Sequence, residues 1–346
     1  MLTIYAIITI LLLWGSTVQK KNCYYDGYIS MEQCNCIKGF FIVVVFCRHI
    51  APYLMEAGYD FSIGGDGLFR WVNARMGQLL VVMFLFYSGY GVTESIKRKG
   101  REYVDKIPRK RVLVTLANFD VAVLLFLIVD VSLGIEYSAR DILLSFTGWQ
   151  SIGNSNWYIF VILCCYMSSY LAYRVLPKEK VSRRLFGGGN LCFITCVYVV
   201  LLLKKPGYWY DTISAYPLGV YYSLYKIEAE KVLRRYYPVA LAVSFIVFVV
   251  LMNMHFGMKG LYANLEGCTM SILIVVLSMK IELHSKPLAW LGQNLFPLYI
   301  YQRIGMIVLG RIDEGYMIAN YPYVYIVGCV LMTLFFGWTY KFVKFK

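Results

Sequence analysis

The stretch FIVVVFCRHIAPYL, residues 41–54, sets Arg48 and His49 side by side inside an apolar run. Imidazole has an ordinary pKa of ~6.5, so it can take and return a proton near neutrality. An ionisable group placed among apolar residues costs several kcal/mol, so its retention asks for a reason. These residues leave two readings of His49 open: a proton-transfer group, or a structural histidine bonded to a backbone carbonyl. Neighbours on a helix differ by ~100°, which points Arg48 to another face, where an ion pair is the simpler reading. Pro52 follows one turn later and loosens the local hydrogen bonding. Few other charges sit in apolar runs. Glu266 in NLEGCTMS lies at a depth that suits an ion pair with Arg48 or with Arg303 of YIYQRIGM; Asp120 of LANFDVAV lies in another run.

A second group is the loop SIKRKGREYVDKIPRKRVLV, with eight basic residues in positions 97–111, ending in Arg109, Lys110 and Arg111. Guanidinium forks grip phosphate bidentately, so such a cluster suits a polyphosphorylated ligand. Taken alone, topological charge and contact with anionic lipid headgroups is the simpler account. GGDG at 64–67 lacks the Lys and following helix of a phosphate loop, and GGG at 187–189, after a basic loop, reads as a turn. Cys34 and Cys36 form C-x-C, but the chain has only 3 His and none is near, so no metal site is expected.

The elements that hold these groups follow from composition. Of 346 residues 59% are apolar and 16% charged, against roughly half and a quarter in soluble domains. The apolar residues fall into blocks at about 2–16, 38–54, 76–93, 112–134, 157–173, 189–203, 212–225, 238–254, 261–279, 288–309 and 322–340. Many approach the ~20 residues that cross a bilayer. The expected fold class is all-α, a polytopic transmembrane helix bundle of about 11 helices. His49 then lies about eleven residues into its helix, near mid-membrane. The first block lacks a basic flank and a clear cleavage site, so it reads as an uncleaved span.

Sidedness follows from charge. With loop 94–111 in the cytoplasm, alternation puts 17–38, 174–184, 226–235, 280–286 and the tail from Lys341 on the same side. Those six stretches hold 25 of the 34 Lys and Arg. Seven lie on the other side: Arg70, Arg75, Arg140, Lys204, Lys205, Lys259 and Arg311. The expected placement is a cell membrane with the N-terminus outside and the C-terminus cytoplasmic. The net charge of +14 is spread over short loops, which argues for membrane lipid as its partner and against nucleic acid. The longest polar stretches of the outer side, 55–75 and 135–156, are placed to cover a site partly.

The order of the motifs carries a resemblance. IKGFFIVVVFCRHI resembles the first core helix of the membrane acyltransferase-3 family, where a basic residue and Gly open a span that reaches a His. LVVMFLFYSGYGVTESIKRKGREYVDKIPRKR is similar to that family's Ser-Gly span and basic inner loop. NSNWYIFVILCCYMSSYL resembles its Trp-Tyr/Phe span, YPLGVYYSLYK its Pro-Leu-Gly span, and LAWLGQNLFPLYIYQR its Leu-Gly…Ile-Tyr closing motif. The match covers roughly 36–340. It divides the chain into 1–35, an extra transmembrane helix with an inner loop, and 36–346, a ten-helix core.

The resemblance implies acyl transfer from cytosolic acyl-CoA, most often acetyl-CoA, to a hydroxyl of a cell-surface glycan or a glycolipid precursor. His49 matches the family histidine, Ser88 and Gly89 its Ser-Gly pair, and Arg109 and Arg111 its loop arginines. On that reading His49 is the general base. Arg48, Gln302, Arg303 or Ser88 supplies donors to the developing oxyanion, and Arg109, Lys110 and Arg111 bind the CoA phosphates. Two departures stand out. Gln302 occupies a position where many members carry His, and it can orient an acceptor but not exchange a proton. The arginines are spaced R-K-R rather than Arg-x-x-Arg. A flippase of a lipid-linked substrate and a non-catalytic relative are the alternatives. Oligomeric state is not legible in the pattern.

Overall fold

Lipid offers no partners to backbone amides, so each apolar run must close its own hydrogen bonds as a helix. The computed structural model, which describes residues 2–61, 66–175, 182–254, 260–311, 318 and 320–345, is accordingly helical almost throughout. Its helices are α1 (Leu2–Leu13), α2 (Met31–Glu56), α3 (Asp66–Met76), α4 (Val82–Lys99), α5 (Arg101–Ile107), α6 (Val114–Ser132), α7 (Ala139–Ser145) and α8 (Trp157–Arg174). They continue with α9 (Arg183–Lys204), α10 (Ala215–Leu224), α11 (Lys226–Arg235), α12 (Tyr237–Met254), α13 (Leu261–Ser278), α14 (Lys286–Gln293), α15 (Leu295–Arg311) and α16 (Pro322–Val343). Two-residue strands β1 (Thr17–Val18) and β2 (Ile281–Glu282) pair antiparallel. Gly64, Gly65, Lys178, Lys180 and Lys259 lie outside the described residues.

Seven helical stretches among the described residues are long and apolar enough to cross a membrane, from Met31–Glu56 to Pro322–Val343. The chain is a multi-pass membrane protein. Large apolar side chains on α12 and α16, among them Val243, Phe245, Ile246, Leu331 and Phe335, stay exposed on the outside of the bundle, as a lipid-facing surface requires. Each of the eleven apolar blocks is helical, but two of these helices are short and one block is broken. The first block is a helix of only 12 residues and α10 has only 10. At 1.5 Å per residue these reach ~18 and ~15 Å, short of the ~30 Å apolar layer. The block at 288–309 is broken at Asn294 into α14 and α15. Pro297 explains the break: in a continuous helix its ring would clash with the carbonyl of Gln293.

The six basic stretches meet at one end of the bundle. β1 pairs with β2, and Lys280 Nζ donates to the carbonyls of Lys20 and Cys23, joining 17–38 to 280–286. Arg234 pairs with Asp26 at 2.7 Å, and Tyr28 Oη donates to Glu230 at 2.7 Å. Arg183 reaches Glu228 at 3.2 Å and Arg174 reaches Asp105 at 3.5 Å. The tail is tied by Phe345 N, which donates to Asn118 Oδ1 at 2.9 Å. At the other end Leu2 N donates to Asp66 at 2.9 Å and Gly260 N to Asp211 at 3.0 Å. The stretches that their charge groups together are thus grouped together in the fold.

Backbone-to-backbone crossings hold the bundle. A Cβ on Gly39 of α2 would overlap the backbone of Leu288 in α14, and one on Gly292 would overlap the backbone of Asn35. Likewise, a Cβ on Gly89 of α4 would overlap the carbonyl of Tyr216 in α10, and one on Gly219 the carbonyl of Phe86. Small residues of this kind let helices approach where no hydrophobic drive separates lipid from side chain. Gly187, Gly188 and Gly189 do not form the expected turn. They lie inside α9, where Gly187 faces the ring of Tyr221 and Gly189 faces Ala172. Buried hydrogen bonds add to this packing: Asn190 Nδ2 donates to Ser168 and Ser169 at 2.9 and 3.1 Å, and Ser169 shares a 2.8 Å bond with Tyr216.

Gly39→Val is therefore expected to cost ~1–3 kcal/mol or more by overpacking, seen as a lower unfolding temperature in detergent. Gly188→Ala, in an exposed helical position with open space around it, should instead gain up to ~1 kcal/mol. Equal thermal shifts for the two would contradict the crossing.

Candidate active site

One face of α2 carries Val45, Arg48, His49, Pro52, Tyr53 and Glu56, and all six line a single cavity of about 430 Å³. Their spacing is that of a helical stripe ~100° wide. Arg48 therefore does not point away from His49. The cavity is broad enough to be lined by both edges of the stripe. From across it α15 contributes Tyr299 and Arg303, one turn apart, while Gly77, Gln78, Leu80, Val81 and Trp157 complete the wall. Residues 135–156 take no part in this wall.

His49 is 18 residues from Met31, ~27 Å along α2 at 1.5 Å per residue. It sits in the half away from the basic end, not midway, because the helix starts at Met31, N-capped by Ser30, rather than near residue 38. Its Nδ1 is buried without a hydrogen-bond partner, and its ring lies 6.3 Å from that of Tyr299. Pro52 lacks the amide that would otherwise bond the Arg48 carbonyl.

Arg303 Nη2 donates to Tyr53 Oη over a long 3.4 Å, and its Nε is buried with no partner. The ion pair expected with Glu266 is not formed: among the described residues the ion pairs include neither Arg48 nor Arg303. Glu266 is buried on α13, off this wall, and the carboxylate on the wall is Glu56. Gln302 also lies off it. It is fully buried and its Nε2 donates to the carbonyl of Tyr299 at 3.1 Å, so it holds α15 rather than facing the cavity.

Two further cavities, of about 560 and 300 Å³, lie toward the basic end. They share Phe84, Ser88, Arg111, Tyr158, Tyr166 and Leu295, and form one proximal chamber. α4 lines it with Phe84, Ser88, Gly91, Ser95 and Arg98, again a helical stripe, and α2 adds Cys34 and Lys38. Ser88 thus stands in a different cavity from His49, which removes it as an oxyanion donor there. Its neighbour Gly89 is needed for the α10 crossing. Cys34 and Cys36 are buried free thiols.

Arg109, Lys110 and Arg111 lie in a π-helical turn, Pro108–Leu113, and only Arg111 lines the chamber. All three are exposed, but consecutive helical residues point ~100° apart, and Arg109 and Lys110 lie off the chamber wall. Arg111 Nε donates to Tyr103 Oη at 3.2 Å, and its guanidinium lies 5.9 Å from the Tyr166 ring centroid. Lys38 and Arg98 are the chamber's other cations.

The two chambers meet at Tyr299. This ring lines both the His49 cavity and the proximal chamber, and it packs edge-on against Tyr158 at 5.3 Å. Its hydroxyl is buried without a partner. Leu295, Tyr299 and Arg303 form one stripe of α15 that runs from the proximal chamber past the partition to His49, ~12 Å at 1.5 Å per residue. Tyr299, Tyr158, Tyr166, Lys38 and Arg98 were not foreseen as site residues. The signal for the three tyrosines was present in the four-residue spacings 295–299–303 and 158–162–166.

An imidazole and two guanidiniums thus line one cavity, and Arg111, Lys38 and Arg98 line the chamber on the other side of Tyr299. The model of the acyltransferase-3 family, described as an acyltransferase domain, matches residues 32–341. No curated protein matches the chain, and no solved structure does. The family match takes in both chambers and nearly every span, and so this chain belongs to the acyltransferase-3 family of membrane acyltransferases.

Proposed function

We propose that the protein moves an acetyl group from acetyl-CoA, bound from the cytoplasm at the basic end, to a hydroxyl of a cell-surface glycan or its lipid-linked precursor. The observation that carries this reading is the Tyr299 partition, with His49 on one side and Arg111, Lys38 and Arg98 on the other. Acyl-CoA is charged and stays with the cations, while its thin pantetheine arm points along the α15 stripe. Tyr299 yields, and the thioester meets the acceptor near His49. The basic end faces the cytoplasm because it gathers most of the cationic side chains.

His49, neutral, accepts the acceptor's hydroxyl proton as the oxygen bonds to the thioester carbonyl carbon. The carbonyl oxygen gains charge within reach of guanidinium or phenol donors, for which Arg48, Arg303 and Tyr299 are placed. The carbon–sulfur bond then breaks, and the departing thiolate takes the proton from His49. No charge is left behind on the protein.

General base catalysis is worth ~10²–10⁴-fold, so His49→Gln should lower acetyl transfer from labelled acetyl-CoA in proteoliposomes by that factor. Its unfolding temperature should barely move, because Nδ1 has no bond to lose. Near-normal transfer at equal expression would reject the base role. A large loss of stability would restore the structural histidine.

Arg111→Ala should raise the Michaelis constant for acetyl-CoA about tenfold, the effect of ~1.4 kcal/mol. Arg109→Ala and Lys110→Ala should leave it nearly unchanged, since neither faces the chamber. Equal shifts for all three would return the cluster to topological charge. Loss of one acetyl mass from surface glycans on deletion of the protein would identify the acceptor.

A further inference from the structure

The His49 cavity has a charge imbalance that acyl transfer to a neutral hydroxyl does not require. Arg48 and Arg303 both line it, from α2 and α15, and among the described residues the wall carries one carboxylate, Glu56, the last residue of α2. Among the described residues neither arginine takes part in an ion pair. Arg cannot discharge by losing a proton. Two guanidiniums held toward one cavity between apolar helices are therefore costly unless something bound there compensates them.

Hydrogen bonding points the same way. Arg303 has a buried Nε without a partner, and its Nη2 reaches only the Tyr53 hydroxyl, at 3.4 Å. Unfilled donors on a planar fork match the paired oxygens of a carboxylate or phosphate. A cationic acceptor would be repelled, and a neutral one would leave the forks unfilled. Arg48 adjoins His49 in the chain and shares its cavity, so an anion on the guanidiniums sits next to a hydroxyl on the imidazole.

We propose that the acceptor carries an anionic group, a carboxylate or a phosphate ester, bound by Arg48 and Arg303 while its neighbouring hydroxyl faces His49. This deepens the acyl-transfer reading and rests on it for the role of the hydroxyl, but the anion preference itself can be read without donor.

The test uses the full chain in detergent without acetyl-CoA, and thermal unfolding titrated with glucuronate, glucose 1-phosphate and glucose at constant ionic strength. One or both anions should bind at least about tenfold more tightly than glucose, and which one does separates a carboxylate acceptor from a phosphate one. Arg48→Gln and Arg303→Gln should each abolish the preference, and Arg303→Lys should restore part of it. Neither Gln variant breaks an ion pair, so both are expected to fold. Equal binding of glucose and the anions, no binding of either anion, or a preference that survives the double Gln variant overturns the inference. Anion preference without acetyl transfer to any of the three probes once acetyl-CoA is added would count against the transferase reading alone.

Discussion

The site depends on how closely two helices can approach. Gly39 and Gly292 let α2 and α14 touch backbone to backbone, and this fixes α14 against the half of α2 nearest the basic end. The chain then breaks at Asn294, where Pro297 forbids a continuous helix, and α15 leaves at a new angle. The contact is tight at one end and α15 is redirected at the other, so the stripe of α2 bearing His49 faces the stripe of α15 bearing Tyr299 and Arg303 across an open cavity. A side chain at residue 39 or 292 would push the pair apart and change the registry of every group in that cavity. The second crossing, at Gly89 and Gly219, does the same for α4 and α10 and sets the wall of the proximal chamber. Stability and site geometry therefore rest on the same four glycines.

The distribution of charge repeats this economy. At the basic end, cations are spent on exposed pairs that link segments, such as Arg183 with Glu228 and Arg174 with Asp105. Exposed pairs of this kind contribute little each, ~0–1 kcal/mol. Their value here is in joining loops far apart in sequence. Arg48, Arg111 and Arg303 line cavities instead and take part in none of the ion pairs among the described residues. These cations are not used to join segments of the fold, which is why the proposed function assigns them to ligands.

Much of this was legible in the residues. Block lengths and the asymmetry of Lys and Arg gave the bundle and the grouping of loops at one end, because both follow from the cost of exposing amides and charge to lipid. His49 stood out because an imidazole in an apolar run is rare. What escaped was three-dimensional in origin. Arg48 shares the cavity of His49 because the cavity is wider than one residue's arc. Ser88 and His49, both assigned to catalysis by resemblance, sit on opposite sides of a ring. Gln302 turned out to hold its own helix. The glycines at 187–189 looked like a turn because composition does not distinguish a bend from a tight helix crossing, and only the ring of Tyr221 against Gly187 does so. Tyr299 was hidden among 31 tyrosines and became visible only when two cavities were found to share it.

That shared phenol has an electrical consequence. A bilayer under voltage charges ~2.3 kcal/mol for each elementary charge carried across 100 mV. Solvated chambers on either side of the Tyr299 ring would concentrate that drop there. Under the proposed transfer the moving acetyl group is neutral and does no work against that field, and the phosphates of CoA would stay on the side where they bind. Such a transfer would reach a hydroxyl beyond the Tyr299 ring without carrying charge past it.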